Sequence, residues 1–155
     1  MWDFIFVSSA GGGRRSDGSA GAPGTLRPIT GWDTVPCMSS KPLGPYTPAV
    51  RAGDFVFVSG QLGMRDGALA EGGVAGQTAQ AVANLAERLA EMGASLTDVV
   101  KTTCFLIDMD TFTTFNEAYV GAFGDHRPAR STIAVRELPA KGQVEIEAVA
   151  YKPRG

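Results

Sequence analysis

The residues best placed to do chemistry in this chain lie in RPARSTIAV, residues 127–135. Pro128 restricts the residue before it to extended conformations, so the chain enters a strand cleanly and Arg130 is aimed rather than left loose. An aimed guanidinium is chemistry for binding an anion. Further along, VEIEAVA, residues 144–150, puts Glu145, Glu147 and Val149 on one side of a strand and Val144, Ile146 and Ala148 on the other. In the arginine strand, Arg130, Thr132, Ala134 and Arg136 share a face opposite Ser131, Ile133 and Val135. If the two strands pair as an antiparallel hairpin through ELPAKGQ, guanidinium and carboxylate groups meet on a face without helix cover. Cross-strand ion pairs on a wet surface are the plain account of that face, and an anion site is the functional one.

Other chemistry has little material. Cys37 lies in a Gly/Ser/Pro-rich stretch and Cys104 inside an apolar strand pattern, which is neither a disulfide framework nor a metal-ligand spacing. Both read as reduced thiols of a cytoplasmic protein, with Cys104 a small buried hydrophobe rather than a nucleophile. His126 is the single histidine, so a zinc site is not expected. With 14 basic against 16 acidic residues the net charge is −2, which supplies no basic field for nucleic acid or an acidic membrane. No apolar run approaches the roughly 18–20 residues that a membrane helix needs.

The elements that must position these residues follow from periodicity. Residues 1–37 are dominated by Gly, Ser and Ala after a short apolar patch, and they read as a flexible extension. Residues 38–155 read as one domain. FVFVSGQLG, from Phe55, is a strand that is apolar on both faces, which predicts cover on both sides: helices on one, a neighbouring subunit on the other. RDGA, 65–68, is a turn. A helix is expected over 74–92, with Ala75, Thr78, Val82, Leu85, Leu89 and Met92 as its buried stripe, Asn84, Glu87, Arg88 and Glu91 outside, and Gly93 as its stop. A strand follows over 99–107 with Val100, Thr102, Cys104 and Leu106 on one face. Asp108 or Asp110 caps a second helix, 111–123, buried through Phe112, Phe115, Tyr119, Ala122 and Phe123. Two strands, 129–137 and 144–151, complete an α+β arrangement: one mixed sheet with two helices on one face.

Six blocks, GPYTPAV, VSGQLG, DVVKTT, FNEAY, RPARSTIAV and VEIEAVA, occur in an order and at intervals that resemble the YjgF/RidA family of enamine/imine deaminases. The resemblance runs from about Gly44 to Tyr151. It implies a chorismate-mutase-like fold assembled as a homotrimer, three sheets forming a central barrel with sites in the clefts between subunits. The implied activity is that of a 2-iminobutanoate/2-iminopropanoate deaminase: hydrolysis of reactive imines to 2-oxo acids and ammonia, without cofactor or metal. It also implies that Arg130 binds the substrate carboxylate and that Glu145 positions water. Tyr46, Ser59, Gly60, Asn116 and Tyr119 match residues around the family's pocket, and Glu147 matches a structural ion pair. Thr132 stands where active members commonly carry cysteine, and the 120–129 connection is short; both bear on which imine fits. A non-catalytic protein of the same fold that binds a small carboxylate such as a 2-oxo acid is the alternative.

Overall fold

Between the turn residues Asp54 and Gly63, the β-branched and aromatic run FVFVSGQL has no helical periodicity to satisfy, and it forms the long strand on which the rest is laid. The computed structural model describes residues 32–34 and 44–154. Cys37, the junction at Met38 and most of the 1–37 stretch lie outside the described residues. Eight strands and two α-helices follow in the order β1 Trp32–Thr34, β2 Ala49–Ala52, β3 Phe55–Leu62, β4 Met64–Arg65, β5 Ala68–Leu69, α1 Gly73–Glu91, β6 Val99–Leu106, α2 Phe112–Phe123, β7 Ala129–Ala134 and β8 Val144–Tyr151. β1 falls within the stretch assigned to the extension and pairs antiparallel with β2.

Six strands make one mixed sheet in the order β1-β2-β3-β8-β6-β7. All neighbours are antiparallel except β6 and β7, which run parallel with α2 as the crossover between them. The expected hairpin of β7 with β8 is therefore not formed. Emerging from α2 in the direction of β6, β7 docks on one edge of β6, while β8 fills the gap between β6 and β3. ELPAKGQ is the connection over the sheet end rather than a hairpin turn, with a short 3-10 turn at Pro139–Lys141 and positive φ at Ala140 and Lys141. The turn expected at RDGA is a two-residue hairpin between β4 and β5, with Asp66 and Gly67 both at positive φ.

The two helices cover one face of the sheet. From α1 come Val74, Thr78, Ala81, Val82, Leu85 and Leu89, from α2 Phe115, Tyr119 and Phe123, and beneath them lie Val56, Val58, Cys104, Leu106, Val144, Ile146 and Ala148. Gly93, at φ +69°, ends α1 with its N–H donating to Ala90 O and the Ala94 N–H donating to Leu89 O. Two residues placed on the solvent side by periodicity are turned inward. Arg88 is buried and pairs with Glu91 at 3.0 Å, and Asn84 donates from Nδ2 to Leu62 O and Met64 O, each at 2.9 Å, tying α1 to the end of β3. Val100 faces outward because a register shift between Val99 and Lys101 breaks the alternation of β6.

The opposite face carries no helix and leaves Phe55, Phe57, Ile133 and Tyr151 each between 43% and 48% exposed. Among the described residues, no helix is long and apolar enough to cross a membrane. Leu85 has no exposed surface and sits at the centre of the helix–sheet contact. Its replacement by alanine is expected to cost about 2–5 kcal/mol, read as a lowered midpoint in urea unfolding at unchanged slope.

Candidate active site

β7 begins immediately after Pro128, and its alternation sends Arg130 and Thr132 toward α2. In the parallel register Arg130 lies beside Thr102 and Thr132 beside Cys104, two side chains buried under the helices. The guanidinium is oriented from two directions. Its Nη2 donates to Asn116 Oδ1 at 2.6 Å, and its carbon stands 4.8 Å from the ring centre of Tyr119, 5.4 Å from Phe115 and 5.8 Å from Phe112. These rings recur at helical spacing along α2, so one side of that helix is both core and platform. The Tyr119 hydroxyl is anchored in turn, 2.8 Å from Thr102 Oγ1 in the interior. Burial pushes the Tyr119 phenol up. No described carboxylate pairs with Arg130.

Thr132 Oγ1 is buried without a hydrogen-bond partner. Beside it, burial pushes the Cys104 thiol up to about 11, which keeps it protonated and inert as a small apolar group.

Glu145 lies on the other side of the sheet. It alternates with the buried Val144 and Ile146 and pairs with Phe105 of β6, so it faces the side that bears no helix. The carboxylate rests over Gly60, at the point where β3 shifts register between Val58 and Gln61. No described residue bonds to it. Burial first, and the charge of Glu147 second, hold its carboxyl above the ordinary glutamate value. Ser59 donates from Oγ to Thr47 O at 2.8 Å, bracing the bulge, and Tyr46 stands 46% exposed in the bend before β2. Thr47, Ser59, Lys101, Thr103 and Glu147 contribute to a pocket of ≈ 260 Å³ on this same face.

Of the eight residues singled out from the sequence, Arg130, Asn116, Tyr119 and Thr132 gather on the helix side and Glu145, Gly60 and Ser59 at the bulge on the open side, while Tyr46 precedes Thr47, the residue whose carbonyl accepts from Ser59. Thr102 and the rings of Phe112 and Phe115 join the site although periodicity assigns them to the core; Thr102, a hydroxyl at a buried strand position, is the signal that a buried partner must exist. Lys101, for which the sequence carries no such signal, donates from Nζ to Ser131 Oγ at 2.6 Å on the open face.

Residues 38–152 match the family model described as endoribonuclease L-PSP, and the chain belongs to that family, the YjgF/RidA proteins. The human 2-iminobutanoate/2-iminopropanoate deaminase is 44% identical over 112 residues, which cover 71% of this chain and 82% of that protein. Among solved structures, RidA from the Antarctic bacterium Psychrobacter sp. matches with a TM-score of 0.69 at 36% identity, over 73% of this chain and 93% of that one. TdcF of E. coli, solved with bound serine, matches with a TM-score of 0.69 at 33% identity, over 74% and 93%.

The raised carboxyl of Glu145 has a definite sign in stability. A carboxyl that holds its proton more tightly folded than unfolded contributes stability fully below its unfolded value and loses that contribution as pH rises through its folded value. Glu145→Gln keeps the shape without the charge. Relative to wild type it is expected to raise Tm at about pH 7 and to give no gain at about pH 3.5, where both forms are neutral. An equal difference in Tm at the two pH values, followed by circular dichroism, would count against a perturbed Glu145.

Proposed function

We propose that this chain hydrolyses reactive enamines and imines of the 2-iminobutanoate/2-iminopropanoate type, at a site where Arg130 of one copy meets Glu145 of another. The observation that carries this reading is Arg130, a guanidinium held by an amide and three aromatic faces with no described carboxylate against it. Its charge is left for a ligand, and its forked donors suit a planar carboxylate in a way that a lysine cannot match. Family relatives bearing the deaminase name support the choice of substrate class.

The imine of a 2-oxo acid carries a carboxylate next to its C=N bond. With that carboxylate on Arg130, the imine carbon is presented to a water held by Glu145. The water oxygen bonds to carbon as the C=N π pair moves to nitrogen, and Glu145 accepts the proton that the water gives up and passes it to that nitrogen. The carbinolamine then collapses: Glu145 takes the proton of its hydroxyl as the carbonyl forms, the C–N bond breaks, and nitrogen leaves as ammonia carrying that proton. Imine and water become 2-oxo acid and ammonia with no change of oxidation state, so the reaction needs no redox cofactor. A carboxyl raised by burial suits this exchange, because it accepts a proton more readily than an exposed glutamate. Thr132, buried beside Arg130 and next to the Cys104 thiol, offers a polar contact to the substrate and makes this chain's choice of imine side chain its own.

Arg130 and Glu145 face opposite sides of one sheet, so a substrate that needs both requires association of copies. The helix-free face gives the driving force, since burying a large apolar side chain contributes about 1.5–3 kcal/mol. We infer a homotrimer with three such faces packed around a central barrel and the sites between subunits. Residues 38–155, with β1 of the preceding stretch paired to β2, form the domain that does this work.

Two measurements test the reading. Imines generated by an amino-acid oxidase and intercepted with semicarbazide are expected to clear faster with the protein present, and Arg130→Ala is expected to lose about 10- to 150-fold, the equivalent of one charge-assisted bond of about 1.5–3 kcal/mol. No acceleration by wild type, together with thermal stabilisation by 2-oxo acids, would replace the hydrolase with a carboxylate-binding protein. Light scattering is expected to give three times the 16.2 kDa chain mass, and a monomer would refute the shared site.

A further inference from the structure

We propose that Gly60 is the positioning residue for Glu145: the side chain that Gly60 lacks is the space in which the carboxylate lies. A Cβ at position 60 would overlap Glu145 Oε1 and stand 2.6 Å from its Cδ and 2.9 Å from its Cγ. Glycine is not required there by backbone conformation, because Gly60 is absent from the positive-φ glycines, unlike Gly53, Gly67 and Gly93. What a side chain at position 60 would meet is the glutamate, whose flexible end would have to swing away.

The bulge itself is held in place from several sides. Ser59 N–H donates to Pro48 O at 2.9 Å, Ser59 Oγ to Thr47 O at 2.8 Å, and Gln61 Nε2 to Ser59 O at 2.9 Å and Gly60 O at 3.3 Å. Glu145 has no such bonds. When a methyl group is added at Gly60, the braced strand stays and the unbonded carboxylate moves. A β-bulge next to a functional carboxylate therefore does two things here: it brings β3 backbone under the side chain and supplies the gap that seats it.

This differs from a role for Gly60 in touching substrate, and it rests on the reading of Glu145 as the residue that holds water. A glycine that seats Glu145 leaves the Arg130 anchor alone, so its loss falls on turnover rather than on substrate binding.

The test has a structural arm and a kinetic arm. In a crystal structure of full-length Gly60→Ala, the nearest Glu145 oxygen is expected to lie in the ordinary contact range of 3.4–4 Å from the new Cβ or beyond, with the β3 backbone in place. A carboxylate still in its wild-type position over a displaced β3 would overturn the proposal. In imine clearance, Gly60→Ala is expected to lower kcat as far as Glu145→Ala does, the double variant no further, and KM to stay within about twofold of wild type. A further loss in the double variant, or a rise in KM of about tenfold, would show Gly60 acting on substrate directly and would also overturn it. If wild type clears no imine, the hydrolase reading fails by itself, while the crystal structure still decides what Gly60 does.

Discussion

β6 lies between β7 and β8, and the alternation of side chains across a strand turns that position into a constraint on everything functional. Arg130 lies level with Thr102 and shares its face, while Glu145 lies level with Phe105 and shares the other. A direct β7–β8 hairpin would have allowed an intramolecular ion pair and quenched both groups. With β6 interposed, neither can neutralise the other within one chain, and each remains available to something outside it.

Each half is held at some cost. A guanidinium half-withdrawn from water with no described carboxylate beside it gives up hydration, and the Asn116 carbonyl together with the negative faces of three rings offsets part of that loss. Tyr119 can serve as one of those faces because Thr102 fixes its hydroxyl. Glu145 is the complementary case, a carboxylate with Glu147 rather than a cation for company. An anion beside the first and a proton or a neighbouring positive group beside the second relieve the two costs together. That is the logic on which the proposed site, shared between subunits and filled by a carboxylate substrate, rests. These costs are offset by the continuous apolar interior between helices and sheet, centred on Leu85, Leu89, Phe115 and Ile146.

Much of this arrangement was legible in the chain, because helices and single strands are local objects. The stripe from Thr78 to Leu89 and the stop at Gly93 needed only periodicity and a left-handed glycine. The exceptions are instructive: Arg88 and Asn84 belong by period to the wet side of α1, yet one is buried with Glu91 3.0 Å away and the other donates to the carbonyls of Leu62 and Met64. Arg130 could be singled out from Pro128 and its block, and Glu145 from the resemblance of its block to a family.

By itself the sequence determined which residues alternate along the strands, the irregular start of β6 at Val100 excepted, where the helices start and stop, and which groups are candidates for the chemistry. Strand order, register and face were decided only by the tertiary structure. They depend on pairings between segments far apart in the chain, and nothing in RPARSTIAV or VEIEAVA states that VVKTTCFL will come between them. The same holds for Gly60: its missing side chain acquires meaning only when β8, about eighty-five positions later, lays a carboxylate across the bulge of β3.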